Sequence, residues 1–337
     1  MVNRAARTSL VALAAVATLS VGACSAGDTA TSSARSTSAS SSAAAPSAVT
    51  VEDNTGTKEV PSPPQRVVAL DNRSFEILER WGITPVAAAR QLVPVTIPGI
   101  GDNDDIVDIG THSEPNLEAI VAADPDVVVS GQRFQRYDSD IAALVPDATV
   151  VDFEPRDGQD FASELVRQVE ALGTIFDKED EAKKLVDDFM AAQERAKAAY
   201  NSDQKVMAVN VSGGKIGYVA PHIGRVWGPI FDMLNLTPAL QVEGATSDHQ
   251  GDDISVEAIA AANPDWMLIL DRDAGTKTDE GSPAAMTVIN DSAPLQNVTA
   301  VQQKHLYVAP SDTYTNESII TYTEILNQLA DAFEAAK

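Results

Sequence analysis

The chain has little cysteine and little histidine: one Cys, Cys24, and four His at positions 112, 222, 249 and 305 in 337 residues. A single cysteine excludes an intrachain disulfide. Four scattered histidines form no His-rich loop that would converge on a bare zinc or manganese ion. No Gly-x-Ser-x-Gly elbow and no His-Glu-x-x-His pair occurs, and the glycine-rich segments do not follow a strand as a nucleotide fingerprint would. The chain therefore reads as a non-enzyme with no intrinsic cofactor. Positive charge is also scarce, with 24 Lys and Arg against 49 Asp and Glu. A surface of that sign does not attract a phosphate backbone, so nucleic acid is excluded as a partner.

No apolar run is long enough to span a bilayer. The stretch from Leu10 to Val21 is apolar but falls short of the ~20 residues a span needs. Arg4 and Arg7 precede it, and it closes on Val21-Gly22-Ala23-Cys24, which resembles a bacterial lipobox. Residues 1–23 are expected to be a lipoprotein signal peptide, with Cys24 carrying the lipid at the outer face of the cell membrane. A plain secretory signal with a stray buried cysteine is the alternative. Residues 24–55 are read as a flexible tether, because Ser, Ala and Thr bury too little apolar surface to offset the entropy of ordering. Removing 1–23 takes away two arginines and no acids, leaving 22 basic against 49 acidic residues. Against so acidic a background, clustered arginines are informative.

Two stretches of the remaining chain repeat. Asn116-Leu-Glu-Ala-Ile-Val-Ala-Ala-Asp-Pro-Asp-Val-Val-Val returns 139 residues later as Ser255-Val-Glu-Ala-Ile-Ala-Ala-Ala-Asn-Pro-Asp-Trp-Met-Leu. The same offset relates Arg66-Val-Val-Ala-Leu to Lys205-Val-Met-Ala-Val, and Ile83-Thr-Pro finds a looser echo in Leu236-Thr-Pro. Asn116 and Ser255 are good N-caps, Glu118 and Glu257 suit a first helical turn, and Pro125 and Pro264 stop a helix. The short apolar runs that follow read as buried parallel strands. The pattern predicts an α/β protein with mainly parallel sheets in two similar lobes, 56–177 and 201–337. Between them Ala182, Leu185, Val186, Phe189 and Met190 recur at helical spacing, so 178–200 is predicted to be one joining helix with Asp177 as its cap. The glycine-rich segment Gly213–Gly228 is expected to be a loop.

The ordered set of motifs resembles a known family. Arg66-Val-Val-Ala-Leu, Leu78-Glu-Arg-Trp-Gly-Ile-Thr-Pro-Val, Glu114-Pro-Asn-Leu-Glu-Ala-Ile, Ile254-Ser-Val-Glu-Ala-Ile and Asn297-Val-Thr-Ala-Val are similar to the iron-siderophore, haem and cobalamin binding proteins of bacterial importers, the class III periplasmic binding proteins. The resemblance covers about 60–335. It implies two Rossmann-like lobes joined by one long rigid helix, and a monomer that binds solute between them. It also implies a permease and an ATPase of an ABC importer as partners. Ser130-Gly-Gln-Arg, Gly224-Arg-Val-Trp-Gly and Leu270-Asp-Arg look closest to binders of catecholate siderophores, although the order Gln132-Arg133 departs from the Arg-Gln usual there.

Ligands of open α/β sheets bind beyond the carboxyl ends of the strands. Arg133 and Arg272 both follow a repeat strand at that end, and Arg225 lies in the glycine-rich segment. Three guanidiniums suit a trianionic ferric tris-catecholate, offering fixed donors and ring stacking. Gln132 and Trp227 are further candidates for the ligand site, Trp227 as a stacking ring or as core. The resemblance places His249 and Tyr314 where some relatives complete iron coordination, so both are candidate Fe(III) ligands or cleft-lining residues. It also assigns Glu118 and Glu257 to docking on arginines of the permease. Haem or cobalamin binding is the alternative within the family, and a free-metal lipoprotein for Zn or Mn the alternative outside it.

Overall fold

The computed structural model describes residues 47–276 and 281–337. The expected signal segment 1–23, Cys24 and most of the expected tether lie outside the described residues. The end of the predicted tether is ordered, however: Ser47–Asp53 is a strand paired antiparallel with Gly56–Ser62. Val49 and Val51 alternate with polar neighbours, and Val51 is buried. That period of two marks a half-buried strand rather than a continuation of the low-complexity run.

The first lobe is a five-stranded, all-parallel sheet. Its order is Val107–Asp108, Ala87–Ala88, Val67–Ala69, Val127–Ser130, Thr149–Asp152. The second has Lys205–Ser212 parallel to Trp266–Asp271, which is parallel to Leu306–Val308. Thr237–Pro238 adds a short parallel pair, and Lys215–Val219 folds back antiparallel on Lys205–Ser212. The glycine-rich segment is thus not a loop throughout. Gly213 and Gly214 both have positive φ, +56° and +72°, which a two-residue hairpin turn requires and glycine supplies without steric cost.

The 139-residue repeat is a repeat in space. Helices Leu117–Ala123 and Val256–Ala262 begin at Asn116 and Ser255, whose side chains accept from the amides of Ala119 and Ala258. Both end at left-handed caps, Asp124 at φ +46° and Asn263 at φ +44°. Val67 pairs with Val127, and Val206 with Trp266. Even the Thr-Pro echo holds, since the amides of Val86 and Ala239 donate to the carbonyls of Val67 and Val206, both at 2.8 Å.

The lobes are joined by the helix Glu179–Ala199. Asp177 does not cap it; it takes the left-handed position that ends the preceding helix Phe161–Phe176. Ala182, Phe189, Ala192, Ala196 and Ala199 form its buried stripe. The final helix, Ile319–Ala335, packs along it and buries Ile325, Leu326, Leu329 and Phe333. Each such side chain contributes roughly 1.5–3 kcal/mol of burial. Arg195 ties the two helices at their exposed edge, donating to Asp331 (2.5 Å) and Glu334 (2.7 Å). Among the described residues no helix is long and apolar enough to cross a membrane.

Candidate functional site

The cleft is built largely from short segments just beyond the carboxyl ends of the strands. Val127–Ser130 leads into the short 3-10 helix Gln132–Tyr137, which carries Arg133. Trp266–Asp271 leads into the single turn Arg272–Gly275, with Asp271 capping it. Arg225 is held differently. The next residue, Val226, has φ +66° and ψ −59°, and the amide of Trp227 closes a three-residue turn on the Arg225 carbonyl at 2.8 Å. A β-branched residue seldom adopts that conformation, which costs about 1–3 kcal/mol. Burial of Val226 and Trp227, and a Tyr322 hydroxyl donating to the Val226 carbonyl at 3.3 Å, hold it in place.

Tyr314 packs against two guanidiniums. Arg225 sits 4.3 Å and Arg272 4.9 Å from its ring centre, within cation–π range. These three, with Arg133 and His112 from the first lobe and His249, Thr276 and Thr315 from the second, line a cavity of about 450 Å³. A second recess of about 330 Å³ shares Arg133 and Arg225 and adds Arg73, Gln132, Glu154, Ser247 and Glu317.

Charges alternate along the floor of this recess. Arg73 donates to Glu154 at 2.7 Å and lies 3.9 Å from Glu317, and Arg225 donates through Nε to Glu317 at 2.6 Å. Burial opposes the charge on Arg225, but Glu317 and the Tyr314 phenol outweigh it and hold the guanidinium more firmly protonated. Arg133 has no such support. Among the described residues it makes no ion pair, and burial together with Arg225 and Arg272 pushes its pKa down. The same effects act on His112, where burial and the nearby Arg133 and Arg136 favour the neutral ring. Arg272 donates to the Ser212 hydroxyl at 3.1 Å, and its Nε is buried without a partner among the described residues.

The remaining sequence candidates separate. Gln132 lies in the recess with its backbone amide on Glu154 at 2.8 Å. His249 is at the cavity wall, half exposed, its carbonyl accepting from Asn210 at 2.8 Å. Trp227 is not in the cleft: it is fully buried, edge-on to Tyr307 at 5.9 Å, and in this position no ligand ring reaches it. The turn at Val226 sends Arg225 and Trp227 in different directions. Glu118 and Glu257 are exposed in the first turns of the equivalent helices and do not line the cavity. Among the described residues no three His, Cys, Asp or Glu side chains group as a metal-binding set.

Arg73, Glu154, Glu317 and His112 were not anticipated. The strand-end rule that selects Arg133 would also have selected Arg73, since Asp71-Asn72-Arg73 follows the strand Val67–Ala69 at the same edge.

Two parallel-sheet lobes, a joining helix and a charged cleft between them define a bilobal solute-binding protein. Residues 67–313 match the family described as Periplasmic binding protein, and the chain belongs to that family. The petrobactin-binding protein YclQ of Bacillus subtilis is 27% identical over 287 residues, 84% of this chain and 86% of its own length. The ferric-anguibactin-binding protein FatB of Vibrio anguillarum is 30% identical over 238 residues, 70% of this chain and 71% of its own. Among solved structures, a TroA-like periplasmic binding protein from Xylanimonas cellulosilytica superimposes with a TM-score of 0.72 at 25% identity, covering 87% of this chain and all of that one.

Proposed function

We propose that the protein is the solute-binding component of an ABC importer, that it captures a ferric siderophore of catecholate or mixed catecholate type in the cleft, and that it hands this ligand to the permease. The observation that carries the reading is the set of three guanidiniums, from both lobes, that line one cavity with Tyr314. A catecholate-ligated ferric chelate is anionic and presents flat rings, and arginine matches both properties. Two relatives, a petrobactin-binding protein and a ferric-anguibactin-binding protein, support a ligand of this kind. Where a chelator leaves iron positions open, His249 and Tyr314 are the side chains offered to complete them. Glu118 and Glu257, one on each lobe, are the proposed contacts for arginines of the permease. Cys24 is the proposed lipid anchor at the outer face of the membrane, and the receptor is taken to act as a monomer.

Calorimetric titration of the purified protein with a panel of ferric siderophores tests the reading. A catecholate or mixed-catecholate complex is expected to bind with a Kd of about 1 μM or tighter, near −8 kcal/mol. Haem binding with a shifted Soret band and no response to any ferric siderophore would overturn it.

A further inference from the structure

Glu317 carries information beyond the presence of a positive cleft. Its side chain is almost completely buried, and its carboxylate takes both Nε and Nη2 of Arg225. Nη2 of Arg225 also donates to the Tyr314 carbonyl at 2.9 Å. Only Nη1 of that guanidinium is left without a protein partner among the described residues. Arg73 is likewise committed, between Glu154 and Glu317. Among the described residues, the two contiguous cavities are therefore bordered by four guanidiniums, Arg73, Arg133, Arg225 and Arg272, and by two carboxylates. Their excess is two positive charges, and Asp273, 3.8 Å from Arg272, trims it further.

We infer that the cleft selects a ferric chelate carrying one or two negative charges over a trianion, and that Glu317 sets this limit. The inference rests on the siderophore reading and narrows its ligand. A trianion of the same shape would place its extra charge near a buried carboxylate that is already shared by two arginines. The cost of desolvation rises with the charge carried, and the arginines that already share Glu317 have little charge left to offset a third. Three arginines counted from sequence suggest a match to three negative charges; the structure shows one of the three already neutralised.

The test holds shape fixed and changes only charge. One hexadentate tris-catecholate is loaded with Fe(III), giving a trianion, or with Ti(IV), giving a dianion with the same six oxygen donors. The protein is expected to bind the titanium complex more tightly, by about tenfold. Glu317→Gln is expected to close most of that gap. Because this variant leaves two buried guanidiniums short of a partner, Glu317→Gln/Arg225→Gln, which restores the balance, is measured beside it and is expected to keep the preference. Equal or tighter binding of the ferric trianion by the unmodified protein overturns the inference while leaving the siderophore reading intact. A preference that survives unchanged in Glu317→Gln removes Glu317 from the role. Binding of neither complex, or of any other ferric siderophore, sinks the siderophore reading and this inference with it.

Discussion

Arg133 and Arg272 stand 139 residues apart, each just after the equivalent strand of its lobe, and line the same cavity. The repeat that shapes the sheets thus places one cation from each half on the wall of a shared cavity.

The first prediction concerns these cations. Charge-assisted hydrogen bonds contribute about 2 kcal/mol each, so Arg133→Ala or Arg272→Ala should weaken an anionic ferric chelate by about 30-fold. Lys183→Ala, on the exposed side of the joining helix, should leave the Kd within about twofold. Calorimetry on the three variants distinguishes a cleft role from general surface charge.

The second separates capture from delivery. Glu118→Ala and Glu257→Ala change exposed carboxylates outside the cavity, so ligand affinity should stay within about twofold. Iron uptake by cells that depend on the protein should fall in each variant and further in the pair. Unchanged uptake in the double variant would remove the proposed permease contacts.

The third is a pH dependence. Burial opposes ionisation of Glu164, but donation from Arg156 (2.6 Å) and Arg167 (2.8 Å) outweighs it and pulls the pKa from 4.5 to about 2. A carboxyl depressed in the fold stabilises above its unfolded pKa and loses that contribution as pH falls from about 4.5 toward 2. Glu164→Gln should cost about 2 kcal/mol at pH 7 and flatten this acid limb in urea melts. Asp138 has the opposite sign. Burial, only partly countered by the Ser130 hydroxyl, raises it to about 7, so its contribution is full below 3.8 and fades as pH rises to 7. Asp138→Asn should remove that decline.

The fourth probes the placement of Arg225. A Cβ added at Gly224 would lie 2.6 Å from the Ala220 carbonyl oxygen and 2.8 Å from its nitrogen, and neither backbone atom can yield alone. Gly224→Ala should therefore shift the turn and weaken ligand binding about tenfold or more with all charges retained. Comparable affinity, at a normal melting temperature, would show that the turn does not position the arginine.

Much of the fold was legible because its signals are local. N-caps at Asn116 and Ser255, helix stops at Pro125 and Pro264, and apolar strands repeat in one order, and a backbone that obeys them has few alternatives. The candidate site was legible only where that repeat pointed. Glu154 and Glu317 are two acids among 49, and nothing in their neighbours marks them as buried. Trp227 was misleading for a different reason: its neighbour Val226 takes a left-handed turn that side-chain spacing does not reveal. Asp177 suits either end of a helix, because a short carboxylate accepts backbone amides and also tolerates left-handed φ. The tether expected from composition runs too far because polar alternation in Ser47–Asp53 is weak until Val51 is seen buried.

The joining helix and the final helix are clamped along their length, and the segment bearing Tyr314 and Glu317 leads straight into the second of them. That packing stiffens the connection between the lobes, so the cleft is expected to behave like a calliper with a set jaw. A cleft so held is expected to take solutes that fit the gap as it stands rather than to close round them by a yielding hinge.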